Sequence, residues 1–262
     1  MVTRADRKSP FPRVKVLGFA VHAIDLKTAV TRLTTVFTAK EQQRLRVVTL
    51  NPEMLMEGIN NLELGAALRD AEFVVPDGIG IVWALRKAGF REQQRVTGVD
   101  LVETLLAQEL GSGLRLYLLG GEPGVAETAA ANLQGRWPGH QVVGTAHGYF
   151  LPAEDEKIVA AINQTQPDLL LVGMGVPRQE IWLYNHWRNL TVPVGIGVGG
   201  LLDLWAGRTK RAPLFLRSIG LEWAYRVWRE PARWRRLRVL PTFLKMVRAE
   251  QRSKKEGRGR RN

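Results

Sequence analysis

Four stretches of this chain are apolar almost without interruption: "RVVTL" (46–50), "LRLYLLG" (114–120), "DLLLVGMG" (168–175) and "PVGIGVGG" (193–200). A strand with one wet face alternates apolar and polar residues, whereas a continuously apolar strand has both faces covered. The covers are at hand, because segments of helical periodicity lie between the strands, at 25–39, 53–68, 79–88, 99–110, 123–134, 153–163 and 177–188. Further strands are expected at "VKVLGFAV" (14–21), "FVV" (73–75) and "QVVGTA" (141–146). Strands alternating with helices predict an α/β fold: an open, mainly parallel, Rossmann-like sheet with helices on both faces. A chain of 262 residues can form one such domain and an appendage.

Open α/β sheets bind ligands beyond the carboxyl ends of their strands. In this sequence those ends carry the unusual residues. "RVVTL" runs into Asn51-Pro52-Glu53, "FVV" into Pro76-Asp77-Gly78, and "LRLYLLG" into Gly121-Glu122-Pro123-Gly124. "QVVGTA" is followed by His147-Gly148-Tyr149, "DLLLVGMG" by Val176-Pro177-Arg178-Gln179, and "PVGIGVGG" by Leu201-Leu202-Asp203. Glycine admits close approach of backbone amides, and helix N-termini favour phosphate. Each element also has a purely structural reading. Asn51 with Pro52 reads as a helix cap, Asp77 as a cap for the helix from 79, and Gln179 and Glu180 as exposed first-turn residues. Neither "LGGEPGVAE" nor "GIGVGG" is a dinucleotide fingerprint.

Charge divides the chain. From Leu204 to Asn262 there are 18 Lys+Arg against 4 Asp+Glu; Met1 to Asp203 holds 20 against 21. A near-neutral body (1–203) is therefore followed by a basic helical appendage (204–250), broken at Pro231 and Pro241, and a basic tail (251–262) expected to be disordered. Such a tail demands an anionic partner, either a membrane surface or nucleic acid. There is no cysteine, which suits a reducing cytoplasm and excludes disulfides and thiolate metal sites. The opening "MVTRADRKSPFPR" has no apolar leader-like core, and no apolar run approaches the roughly 18 residues of a spanning helix.

The segments "TLNPEM" (49–54), "PDGIGIVWA" (76–84), "RVTGVDL" (95–101), "YLLGGEPGVAE" (117–127), "HGYF" (147–150), "PDLLLVGMGVPRQE" (167–180), "GVGGLLD" (197–203) and "KRAP…GLEWAYRVWREPARWRR" (210–236) together resemble the WecG/TagA/CpsF family of bacterial glycosyltransferases. The resemblance covers roughly Val14 to Arg238. It implies an inverting, metal-independent transfer of a sugar from a UDP donor to an undecaprenyl-diphosphate-linked sugar, in cell-wall or surface polysaccharide synthesis. N-acetylmannosamine onto lipid-linked N-acetylglucosamine is the leading assignment; N-acetylmannosaminuronic acid or glucose, for capsule or exopolysaccharide, is the alternative. No cofactor is implied.

An inverting transfer needs a general base at the acceptor hydroxyl. Asp77, a carboxylate at a strand end beside glycines, suits that role, and the resemblance assigns it to the aspartate of "PDG". No Asp-x-Asp motif occurs, and the acidic cluster "EDE" (154–156) reads as a solvated helical turn. Positive groups must then stabilise the departing diphosphate. Arg95 is the body arginine expected to do so. Thr49, Asn51 and Gln179 match family pocket residues expected to hydrogen-bond the sugar. Tyr149 and Asp203 are expected at the uridine end.

In the appendage Arg226, Arg229, Arg233 and Arg236 recur at three- and four-residue steps among Trp223, Trp228 and Trp234, with Leu237, Leu240, Phe243, Leu244 and Val247 beyond. That pattern suits a helix lying in lipid headgroups. A plain C-terminal helix packed on the body is the alternative for the apolar strip. The resemblance implies membrane docking by this segment and delivery of Arg226, Arg233 and Arg236 to the site. The expected setting is cytoplasmic, peripheral on the inner face of the membrane, with no nucleic-acid partner and a homo-oligomer left open. The rivals are a nucleic-acid-binding protein, which explains the tail alone, and a nicotinamide-dependent oxidoreductase, which explains the sheet alone.

Overall fold

The computed structural model describes residues 11–38, 43–108, 110, 111, 113–213 and 238–259, with side chains up to Ser253. Its centre is a six-stranded, wholly parallel sheet. In chain order the strands are β3 (Leu45–Leu50), β4 (Phe73–Pro76), β5 (Arg115–Gly120), β6 (Gln141–Ala146), β7 (Leu169–Gly173) and β8 (Val194–Gly197). In space they run β4-β3-β8-β7-β5-β6. Val47 pairs with Ile196, and Ile196 with Leu171, so this register carries one face of the sheet across three strands.

Strand alternation builds two cores. Val47, Val75, Leu118, Leu171 and Ile196 pack on one face against α1 (Leu26–Thr38), α5 (Gly98–Leu106), α6 (Val125–Arg136) and α9 (Leu201–Trp205). On the other face Val48, Leu50 and Val74 meet α2 (Pro52–Asn60), α3 (Leu62–Arg69) and α4 (Ile79–Lys87). Leu119, Leu170 and Val172 meet α7 (Asp155–Thr165) and α8 (Arg178–His186) there. This is the expected α/β sheet covered on both sides.

Two local expectations fail. The stretch 14–21 is not one strand but a hairpin, β1 (Arg13–Val16) with β2 (Phe19–His22), forming its own antiparallel pair. Leu17 and Gly18 turn it with φ of 49° and 88°, the left-handed pair that a two-residue connection requires. The helix expected over 53–68 is two helices. Asn61 ends α2 and caps α3, its side chain accepting the Glu63 and Leu64 amides at 3.1 Å. The two helices meet so closely that a β-carbon on Gly65 would stand within van der Waals overlap of the Gly58 carbonyl.

Beyond β8 the chain stays on the body at first. Trp205 and Ala212 are buried, and Arg211 reaches Asp100 at 2.5 Å and Glu103 at 3.5 Å on α5. The C-terminal helix α10 (Val239–Gly259) then packs against α2 and α4 through Phe243 and Val247, both buried. Val239, Leu240, Leu244 and Met246 on the same helix are half-buried. Its Gln, Arg, Lys and Glu content suits a helix through to Gly259. Among the described residues no helix is long and apolar enough to cross a membrane.

Candidate active site

A parallel sheet delivers all its carboxyl ends to one edge. In spatial order that edge presents Asp77 after β4, Asn51 after β3, Gly197–Gly200 after β8, Gly173–Gly175 after β7, Gly120–Gly124 after β5 and His147–Tyr149 after β6. The helices that follow β3 and β7 lie on one face, and the helix that follows β8, between them, lies on the other. Chains leaving adjacent strands toward opposite faces open a crevice, so the end of β8 and its neighbours form the mouth of the sheet.

Backbone bonds tie the edge into a floor. The Asp77 amide donates to Leu50 at 2.9 Å, Val96 to Pro76 at 2.8 Å and Val198 to Val172 at 2.9 Å. Gly121 donates to Gly173 at 3.0 Å and Gly148 to Gly121 at 2.8 Å. Gly120 can be nothing else, since its φ is +146° and a β-carbon would overlap the Gly173 carbonyl.

Four of the expected residues come together at the β4–β3 end. Thr49, next to last in β3, is buried, and a β-carbon on Gly98 would lie 3.5 Å from its methyl group. Asn51 caps α2 by accepting the Met54 amide at 2.9 Å, as its cap reading had it, and its Nδ2 donates to no described residue. Asp77 is half-buried. The cap position of α4 is Gly78, at φ +81°, which brings no side-chain cap and stands against Asn51. Arg95 precedes Val96, whose amide donates to Pro76, so the backbone of Arg95 lies beside the Asp77 turn. Thr97 then caps α5, accepting from the Asp100 amide at 3.0 Å and donating its hydroxyl to the Asp100 carboxylate at 2.6 Å.

Gln179 and Glu180 are not exposed first-turn residues: they are 2% and 5% exposed. The Gln179 carbonyl oxygen accepts the Gly175 amide at 3.1 Å and the Gly199 amide at 3.0 Å, and its Nε2 donates to Glu180 Oε1 at 2.7 Å. Its carbonyl oxygen thus already holds two backbone loops. Burial pushes the Glu180 carboxyl up to about 7, and Glu57 adds to the rise. Gly197 exists for this pair, because a β-carbon there would be 2.7 Å from Gln179 Nε2 and 2.9 Å from Glu180 Oε1. Gly195 likewise makes room for Trp187 and Leu183. The glycines of "GIGVGG" thus serve helix packing and loop shape. Glu180 is the residue that periodicity could not single out; the clue was the glycine facing it across the sheet.

Two expected residues stand apart. Tyr149 is 67% exposed at the far edge. Four strands separate its strand from β4, which puts it roughly 24 Å from Asp77 at the usual strand spacing. Asp203 is half-buried in the first turn of α9, and its carbonyl accepts the Arg208 amide at 2.9 Å. Of the "EDE" cluster Glu154 and Glu156 are exposed, but Asp155 is half-buried, accepting from Trp182 Nε1 at 2.8 Å and facing His186 at 3.2 Å. Arg226, Arg229, Arg233 and Arg236 lie outside the described residues.

An α/β domain that gathers a carboxylate, an arginine and glycine-lined loops at the carboxyl ends of parallel strands has the architecture of a group-transfer enzyme. The match is specific: residues 14–257 fit the glycosyl transferase WecG/TagA/CpsF family, and the chain belongs to that family. Among its relatives is the N-acetylglucosaminyldiphosphoundecaprenol N-acetyl-beta-D-mannosaminyltransferase of Staphylococcus aureus, 31% identical over 95% of this chain and 98% of the relative. The protein of the same name from Bacillus spizizenii is 33% identical over 79% of this chain and 80% of its own length.

Proposed function

We propose that this glycosyltransferase moves N-acetylmannosamine from a UDP donor to N-acetylglucosamine carried on undecaprenyl diphosphate. The observation that carries the reading is the likeness to two relatives, one of them matched over nearly its full length, both named for that transfer. The site geometry is compatible with a single in-line displacement. Asp77 takes the proton of the acceptor hydroxyl as that oxygen attacks the anomeric carbon. The bond to the diphosphate breaks, and the charge growing on the leaving oxygen is met by Arg95 and by arginines of the appendage. Thr49 and Asn51, beside Asp77, orient the sugar, with Gln179 as a further pocket residue. Asp203, near the mouth, faces the nucleotide, whereas Tyr149, roughly 24 Å from Asp77 at the far edge, lies too far off for the same donor.

The appendage is read as the membrane contact. Its described flanks support this. Arg211, ahead of the arginine-rich segment, bonds to α5, and Phe243, beyond it, packs on α4, so the described flanks lie at elements that border the Asp77 cluster. Lys245 and Arg252 are exposed on α10 and would add to attraction by anionic lipid.

The test is a donor screen with a short-chain prenyl-diphosphate N-acetylglucosamine acceptor, read by mass. The expected product gains one N-acetylhexosamine from UDP-N-acetylmannosamine, in the presence of chelator. Transfer of glucose or a uronic acid instead would replace the donor assignment. Loss of activity with chelator and recovery with magnesium would overturn the metal-independent mechanism. Flotation on anionic liposomes tests the appendage; a nucleic-acid gel shift without flotation refutes that part.

A further inference from the structure

We propose that Glu180 is a positioning residue: its carboxyl fixes the Gln179 amide, and through it the two glycine loops that flank the mouth of the sheet. The geometry carries this. Among the described residues Gln179 is the one side chain that bonds both loops, at Gly175 and Gly199, and the Gly175 carbonyl accepts the Gln179 backbone N–H at 3.0 Å. An amide can flip about its own axis. The two backbone N–H groups call for its oxygen, and the acceptor at its other end, Glu180 Oε1 at 2.7 Å, takes Nε2 and holds the amide in that orientation. Gly175 and Gly199 sit at φ +77° and +54°, and their amides point to the Gln179 oxygen rather than into a ladder. Without that oxygen nothing among the described bonds ties the loop after β7 to the loop after β8 through these two amides.

The carboxyl is suited to hold rather than to react. It is buried under α8 against Gly197, and its Oε2 has no hydrogen-bond partner among the described residues. Desolvation favours the protonated acid there, which agrees with its upward displacement. A neutral acid accepts from Gln179 through its carbonyl oxygen, and a glutamine in its place would do the same.

This inference rests on the functional reading only in that the loops shape the donor site. If Glu180 keeps the loops in their competent arrangement, removing it lowers the competent fraction and weakens apparent donor affinity by that fraction. Glu180→Ala is therefore expected to raise the KM for UDP-N-acetylmannosamine about ten-fold, with kcat changed less than about three-fold. Glu180→Gln should restore KM to within about three-fold of the parent. An equal fall of kcat and kcat/KM in Glu180→Ala, or a Glu180→Gln no better than Glu180→Ala, would overturn it.

A second readout does not need turnover. Amide hydrogen exchange at Gly175 and Gly199 should accelerate at least ten-fold in Glu180→Ala and stay protected in Glu180→Gln. Unchanged protection in Glu180→Ala refutes the positioning role even if transfer activity is found. Lost protection in a protein that transfers no sugar would retain the role and remove the functional reading instead.

Discussion

Glu180 also makes a quantitative prediction about stability. Its carboxyl has an ordinary value of 4.5, and burial raises it to about 7 in the folded protein. Between those two values the folded chain holds a proton that the unfolded chain has released, so stability falls as pH rises across the window and levels off above it. A displacement of roughly 2.5 units at about 1.36 kcal/mol each amounts to about 3 kcal/mol. The charged groups around it do not reverse the sign. Glu57 on α2 raises the carboxyl further; Arg178 is turned onto Phe150; His186 faces Asp155. On α3 Glu63 is bonded by Asn185, on β3 Arg46 is tied to Asp70 and Glu72, and β7 and β8 carry no charge. In Glu180→Gln no proton is at stake. The stability of the variant minus that of the parent should therefore climb by about 3 kcal/mol from pH 4.5 to pH 8. Urea unfolding followed by tryptophan fluorescence at half-unit pH steps measures the difference, and every other titrating group cancels in it. A difference that stays flat across this range would refute the reasoning.

His22 should give the opposite slope. It is buried beside Arg13, and its imidazole is lowered to about 4, so the unfolded state binds the proton first. Its own contribution should fall by about 3 kcal/mol as pH drops from about 6.5 to 4, so the stability of His22→Gln minus that of the parent should climb by that amount in the same urea series. Asp77→Asn should bind UDP with unchanged affinity in calorimetry while turnover falls about 10²–10⁴-fold; near-parental turnover would remove it from the base role. Gly80→Ala places a methyl 2.6 Å from Pro52 Cγ and 3.2 Å from the Phe243 ring. It should cost about 1–3 kcal/mol and let trypsin cut α10 at Lys245 and Arg248; unaltered resistance there would contradict the packing described.

Much of the architecture could be read from the sequence because parallel strands announce themselves by unbroken apolarity, as in "LLLVG" at 169–173. Their carboxyl ends collect polar residues and glycine, so the Asp77, Asn51 and Gln179 turns stood out as well. The hairpin did not, because Leu17 at positive φ is not a turn residue by composition. Nor did the break at Asn61, whose capping bonds interrupt a pattern that periodicity reads as continuous. Strand order is invisible to alternation. Nothing in the chain told that Tyr149 follows an edge strand while Asn51 and Asp77 follow neighbours. The structural alternative for Gln179, an exposed first-turn residue, fails because its partners are backbone amides 4 and 20 residues away, which no side-chain pattern encodes.

The docking of Phe243 between α2 and α4 has a consequence for biosynthesis. The notch at Pro52 and Gly80 belongs to the earliest third of the chain, yet the ring that fills it emerges from the ribosome after nearly everything else. During translation the apolar notch between α2 and α4 stays uncovered until that late-arriving plug is made. A product stopped short of residue 243 would carry that exposed gap for good, a ready target for chaperones and proteases.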